Sequence, residues 1–184
     1  MAKMSHTLSP PEKRTLTALD RLLRRAAVRA SIDAAIGPLE RRLLADTGAQ
    51  MAWETVPLSL YDPGLPGTIR SSWIFILRSG AVTGAERHPN SHQRTLSYRG
   101  AGDLMTMERG RWRNHALVSD PGAPLETRWV SIRANIWHQV VVRDAHWVVV
   151  SFHTAPADQL IEERPGPDDP RASVRRLYVG ESAR

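Results

Sequence analysis

Between Met51 and His153 the chain breaks into short runs rich in tryptophan, valine, isoleucine and threonine, each bounded by Gly, Pro, Asp or Asn. The runs cover residues 52–60, 69–78, 93–98, 103–108, 127–133, 136–143 and 146–153. Short strands at regular spacing with turn residues between them predict an all-β sandwich or barrel. Arg143-Asp144-Ala145, between two apolar runs, predicts a tight hairpin, so residues 126–153 would form a β-meander.

The first 50 residues follow a different period. Ser9-Pro10-Pro11-Glu12 has the form of a capping box, with Ser9 on the amide of Glu12 and Glu12 reaching back. Leu16, Leu19, Leu22, Leu23, Ala26, Ala27, Ala30 and Ile32 then recur at helical spacing until Gly37-Pro38, where the helix is expected to stop. A second, shorter helix over 39–46 should end at Gly48. Arginines on the other faces suit either a membrane-surface or nucleic-acid arm, or an amphipathic pair packed on its own domain or a partner subunit. Glu12, Asp20, Asp33 and Glu40 dilute the charge and favour the second. After Pro156 the pattern predicts a short helix over 158–163, then an extended segment or mobile tail from Arg164 through Pro170. The organisation expected is a helical N-terminal extension (1–50), a β-domain (51–155) and a C-terminal helix and tail (156–184).

Several classes are excluded. With 41% hydrophobic and 24% charged residues this is a folded globular chain. Cysteine is absent, which removes disulfides, thiolate metal sites and cysteine nucleophiles. The net charge of +6 is spread thinly, and no basic cluster is interleaved with exposed aromatics, so no nucleic-acid partner is expected. No apolar run approaches the roughly 20 residues of a membrane span. Residues 1–11 also lack the apolar stretch of a secretory signal, so a cytoplasmic protein without a membrane partner is expected.

Without cysteine, the metal ligands that remain are imidazole and carboxylate or amide oxygen. Of seven histidines, His6 sits in a terminus, His115 in a polar stretch, and His146 and His153 flank an apolar run. The informative segment is 80–100. Glu86 and His88, two apart, would face the same way on a strand, with Cα atoms roughly 6.6 Å apart. His92 or Gln93 joins them only if Pro89-Asn90-Ser91 turns the chain, and that triplet is suitable turn chemistry.

These residues resemble the cupin superfamily, whose first motif runs Gly, five residues, His-x-His, three or four residues, Glu, six residues, Gly. Gly80 plus five residues leads to Glu86 and His88 in the two histidine positions. The third position falls on His92 with the shorter gap or on Gln93 with the longer, and from Gln93 six residues lead to Gly100. The second motif, Pro-x-Gly-x-x-His-x-x-x-Asn, aligns with residues 133–142. There His138 is kept and Asn135 stands as a turn-competent substitute for glycine. The resemblance covers residues 51–154. It implies a jelly-roll β-barrel in which Glu86, His88, His138 and either His92 or Gln93 converge on a divalent transition metal (Fe, Mn, Ni or Zn).

Cupins include dioxygenases, isomerases, decarboxylases, lyases and inactive binding or storage proteins, so the fold alone names no reaction. The resemblance implies a metal-dependent protein of small-molecule metabolism, a dioxygenase or isomerase acting on a carboxylate-bearing or hydroxylated compound. The alternative is a binding or sensor barrel that has lost the metal chemistry. Arg94, Arg133, Tyr98, Trp73, Trp112 and His153 are the candidate substrate-binding residues. The acid-base group stays open among Tyr98, His153 and Glu126. A homodimer is expected, with the helices as a possible assembly device.

Overall fold

A computed structural model describes residues 8–169 and 172–181; His6 lies outside them. The β-region forms two facing antiparallel sheets. Five strands, β1 (Met51–Thr55), β2 (Ser71–Leu77), β3 (Gln93–Arg99), β6 (Trp129–Ile132) and β8 (Trp147–His153), lie in the order β1-β2-β8-β3-β6. Three more, β4 (Ala101–Glu108), β5 (Arg111–Val118) and β7 (His138–Val141), lie in the order β5-β4-β7.

Period-two alternation divides the larger sheet between two cores. Ile74, Ile76, Val148, Val150 and Phe152 face outward and join the buried leucines and isoleucines of the N-terminal helices in one cluster. Leu77, Trp147, Val149 and the partly buried Phe75 face inward and pack with Leu104, Leu117 and Val142 of the smaller sheet's side. β8 is covered on both faces and buried along its whole length, so its run reads as continuously apolar.

The expected meander is not formed. β6 pairs with β3, β7 with β4, and β8 lies between β2 and β3. Residues 142–146 therefore cross from one sheet to the other. Arg143 is held on that crossing by Asp103, with Nε and Nη2 both on Oδ2 at 2.9 and 2.5 Å. Gly100, at φ +88°, makes the reverse crossing from β3 to β4. Gly102 lies beneath the Trp147 indole, where a Cβ would come within 2.2 Å of the ring. Gly102→Ala is expected to lower stability by about 1–3 kcal/mol, read as a lower urea midpoint at unchanged slope.

The helices break elsewhere than Gly37-Pro38. Helix α1 is Pro10–Leu23 and α2 is Ala26–Ala45, with Pro38 inside α2. At the corner the Arg25 guanidinium donates to the carbonyls of Tyr61, Asp62 and Pro63 at 3.2, 3.4 and 2.6 Å. Arg24 reaches the Pro121 carbonyl at 2.9 Å. These tertiary bonds fix the break, while Ile36 and Leu39, buried on either side of Pro38, carry the helix past its missing amide. Only half of the capping box forms: Ser9 accepts from the Glu12 amide at 3.4 Å. The Glu12 carboxylate instead takes Arg94 in a two-pronged pair, Nε–Oε1 2.7 Å and Nη2–Oε2 2.9 Å, and accepts from Ser131 at 2.7 Å. A two-pronged pair between full charges, with a third bond from Ser131, outweighs the single bond to a backbone amide that the helix end offers.

The C-terminal expectation is also corrected. A 3-10 turn, Ala157–Gln159, is followed by β9 (Ile161–Pro165), which pairs with β10 (Ser173–Leu177). A bridge between Arg87 and Glu163, reinforced by their 2.6 Å ion pair, keeps residue 163 extended where a helix was expected. Among the described residues no helix is long and apolar enough to cross a membrane.

Candidate metal centre

Residues 82 and 86 extend the smaller sheet beside β7, Val82 opposite Val141 and Glu86 opposite His138. The second pair makes both backbone bonds, each 2.8 Å. Directly opposed residues project to one face, so the side chains meet, with Glu86 Oε1 3.5 Å from His138 Nε2. His88, two residues after Glu86, adds its imidazole, and its carbonyl accepts from the amide of Asn135 at 2.9 Å. Asn135 is in the left-handed region at φ +68°, the place where the resemblance puts a glycine. One ligand atom from each of Glu86, His88 and His138 lies within 4.8 Å of the other two.

Both rings are oriented from behind. His88 Nδ1 donates to the Ile161 carbonyl at 2.9 Å, and His138 Nδ1 to the Ile136 carbonyl at 3.1 Å. A carbonyl only accepts, so Nδ1 carries the proton and Nε2 of each ring is left for the centre. His138 Nε2 is buried without a hydrogen-bond partner, facing the Glu86 carboxylate. A nitrogen lone pair against a carboxylate oxygen is stable only with positive charge between them, as a proton or a metal ion.

The local electrostatics suit a cation. Burial opposes charge on Glu86, but the imidazole of His138 opposite it and the contact with Glu162 outweigh burial, and hold the carboxyl well below the usual carboxylate range. Burial, followed by the charge of His138, pushes His88 down to about 4, against the pull of Glu86 and the Ile161 carbonyl. His153 is lowered far by burial and then by His88 and His138. At neutral pH Glu86 is thus an anion and His88 a neutral base, the forms that ligate metal.

Gln93 faces the same interior. With Glu86, Thr95, His138, Ser151 and Tyr178 it lines a central cavity of about 40 Å³. Its Nε2 donates to Thr95 at 3.1 Å, and its Oε1 is buried without a partner. His92 points the opposite way, to Ser131 at 2.7 Å, with Glu12 3.8 Å off. Neighbours on a strand take opposite faces, and Gln93 has the inward one, so His92 does not join the group.

None of the six expected wall residues lines the cavity, and four of them lie well away from it. Arg94 is committed to Glu12. Tyr98 donates to Asp33 on α2 at 3.0 Å. Trp112 is exposed on β5, and Arg133 is exposed beside a separate depression near His115. His115 itself bonds Thr106 at 2.8 Å, and His146 accepts from the Ser79 amide at 3.0 Å. Trp73 and His153 lie beside the centre: the His153 ring is 5.1 Å from His88 and 6.5 Å from Trp73. His153 Nδ1 pairs with Ser91 Oγ at 3.3 Å.

Sequence reasoning missed the part played by β9 and β10. Arg164 Nη2 bonds the second Glu86 oxygen at 3.1 Å and Glu162 at 2.8 Å, while Arg176 Nε bonds Glu162 at 2.5 Å. Glu162 is 1% exposed. Burial and the neighbouring Glu86 raise its pKa. Tyr178 covers this end of the barrel, its ring centroid 6.0 Å from His88, 5.3 Å from Trp73 and 5.4 Å from Trp53. The alternation Glu162-x-Arg164 and Arg176-x-Tyr178 was the available signal.

No family model and no curated protein matches the chain. Among solved structures it is similar to an oxalate oxidase, at 12% identity over 60% of this chain and 54% of that one, with a TM-score of 0.46. It is similar to the coconut allergen cocosin at 15% identity over 64% and 29%, TM-score 0.49. A third is the capsular polysaccharide assembling protein CapF from Staphylococcus aureus, at 12% over 70% and 32%, TM-score 0.46. The chain spans about half the length of the first and about a third or less of the others. The strand order carries the fold: two antiparallel sheets face each other across an interior that holds Glu86, His88 and His138, and this makes the chain a jelly-roll β-barrel of the cupin type beneath an α-helical N-terminal layer.

Proposed function

We propose that Glu86, His88 and His138 hold a divalent transition metal and that the protein is a metal-dependent enzyme of small-molecule metabolism, of dioxygenase or isomerase type. The observation that carries this reading is the buried, unpartnered His138 Nε2 set against the Glu86 carboxylate, with His88 at its side. Two imidazoles and one carboxylate are the donor set suited to Fe(II), with Mn(II), Ni(II) and Zn(II) as the other candidates. When bound, such an ion supplies Lewis-acid polarisation of a substrate oxygen or a place for oxygen to bind.

The chain's own residues do the rest. Ile161 and Ile136 carbonyls fix the imidazole tautomers, and Arg164 on one Glu86 oxygen leaves the other free to ligate. Gln93 Oε1 offers an acceptor to an O–H or N–H group entering the cavity. Tyr178 and its aromatic neighbours keep water from this end. Elemental analysis of protein purified without a histidine tag tests the proposal. We expect close to one equivalent of a first-row transition metal, present on purification or regained on soaking. Less than about a tenth of an equivalent in both cases overturns it.

A second reading, a binding barrel without turnover, is favoured by the identities at the centre: Glu86 stands where the resembled motif has its first histidine and Gln93 where it has its glutamate. It expects ligand-induced stabilisation that survives removal of metal by a chelator.

A further inference from the structure

A larger concavity lies outside the barrel, on the far side of Tyr178. It is a cleft of about 500 Å³ between the C-terminal end of α2, strand β1 and the β9–β10 pair. That volume falls within the range of small-molecule sites, whereas the central cavity is far below it. Met51 and Tyr178 line both spaces, so one ring separates the cleft from the candidate metal centre.

The lining has a definite chemistry. Three guanidinium groups line the cleft from three elements, Arg42 from α2, Arg164 from β9 and Arg176 from β10. Two carboxylates share the cleft, and both are engaged. Glu162 is buried between Arg164 and Arg176, and Asp46 accepts from the amides of Gly48 and Ala49 at 3.1 Å. Because Glu162 pins Arg164 and Arg176, part of the entropy a long side chain loses on gripping a ligand is lost already. Arg164 meets Glu162 and Glu86 through Nε and Nη2 only, so these pairs leave its Nη1 uncommitted. Arg42 is exposed and makes one long bond, 3.5 Å, to the Trp53 carbonyl. Beside the arginines the Trp53 and Tyr178 rings, 5.4 Å apart and tilted by 49°, give an apolar wall.

We infer that this cleft binds a small organic carboxylate, its anionic head on Arg42 and Arg164 and its apolar body against Trp53 and Tyr178. Guanidinium forks match carboxylate geometry, and the aromatic wall accounts for a body that a bare anion lacks. The inference deepens the small-molecule reading by giving the ligand's class and place, and it holds whether or not a metal is bound.

Isothermal titration calorimetry on the full chain tests it, with 3-phenylpropionate, the neutral 3-phenylpropionamide and inorganic phosphate at matched ionic strength. The expected result is millimolar or tighter binding of 3-phenylpropionate, with phosphate weaker and the amide weaker by about tenfold. Arg42→Glu, a change at an exposed side chain, is expected to weaken the carboxylate about tenfold or more and leave the amide unchanged. No binding up to about 10 mM, equal binding of acid and amide, tighter binding of phosphate, or an unaffected Arg42→Glu variant would each overturn the inference. The titrations are repeated on His138→Ala protein. Unchanged carboxylate affinity there separates the cleft from the metal proposal, and a carboxylate that needs His138 overturns the cleft assignment.

Discussion

Replacing His138 with alanine is expected to weaken binding of added Mn(II), Fe(II) or Zn(II) by about a hundredfold or more, read by equilibrium dialysis with elemental analysis. The imidazole is 2% exposed and sits directly across the backbone pair from Glu86. Glu86→Gln keeps the shape but removes the anion, and is expected to weaken the metal nearly as much while keeping Arg164 within hydrogen-bonding reach. His92→Ala is the control: its ring serves Ser131 on the outer face, and metal affinity is expected to stay at the wild-type value. Metal binding that survives His138→Ala and fails in His92→Ala would overturn the placement of His138, and not His92, at the centre.

Asp20→Ala is expected to have the largest effect on stability, a loss of about 3–5 kcal/mol. Asp20 accepts from Trp129 Nε1 at 2.9 Å, from Arg24 Nε at 2.9 Å and from both terminal nitrogens of Arg128. Arg128 is buried, so alanine leaves a guanidinium and an indole N–H without their acceptor. Against the roughly 5–15 kcal/mol that holds a domain folded, such a loss is visible in any urea titration. Asp20→Ala combined with Arg128→Met is expected to recover most of it, because the abandoned charge is removed as well. A loss in Asp20→Ala below about 1 kcal/mol would show that water reaches the guanidinium.

The same carboxylates set the acid limit. Burial raises the pKa of Asp20 and of Glu12, but hydrogen bonds from Arg128 and Trp129, and from Arg94 and Ser131, more than reverse it, so both lie below their ordinary values. A carboxyl lowered in the folded state stabilises fully above its unfolded pKa, near 4, and loses that contribution as pH falls through the depressed value. Unfolding free energy should therefore drop as the solution is taken below about pH 4, and drop less steeply in Asp20→Ala.

Much of the barrel was legible because it rests on local rules. Ser9 capping α1 and the shared face of Glu86 and His88 follow from spacing and turn chemistry, while their inward direction and the turn at Asn135 ahead of His138 came through the resemblance. The choice between His92 and Gln93 did not, because adjacent strand residues differ only in which face the pairing with β6 and β8 assigns them. Arg94 looked like a substrate clamp for a sound reason, its fitness for carboxylates, but the carboxylate it holds is Glu12, 82 positions away. Glu162, Arg164 and Tyr178 were hidden for a different reason. The Pro-rich stretch after Arg164 resembles a tail, yet it joins two paired strands, and what docks that pair on the barrel is Arg87, 76 positions from the Glu163 it holds.

The placement of Arg164 on β9 and of Tyr178 directly after β10 has a consequence for biosynthesis. A nascent chain that has released everything up to β8 already possesses Glu86, His88 and His138, yet lacks the guanidinium that steadies Glu86, the Ile161 carbonyl that fixes His88 and the phenol that shuts the end of the barrel. The centre is thus finished only when the final segment folds back, and until then the half-built barrel stands open to any ion or molecule in its surroundings.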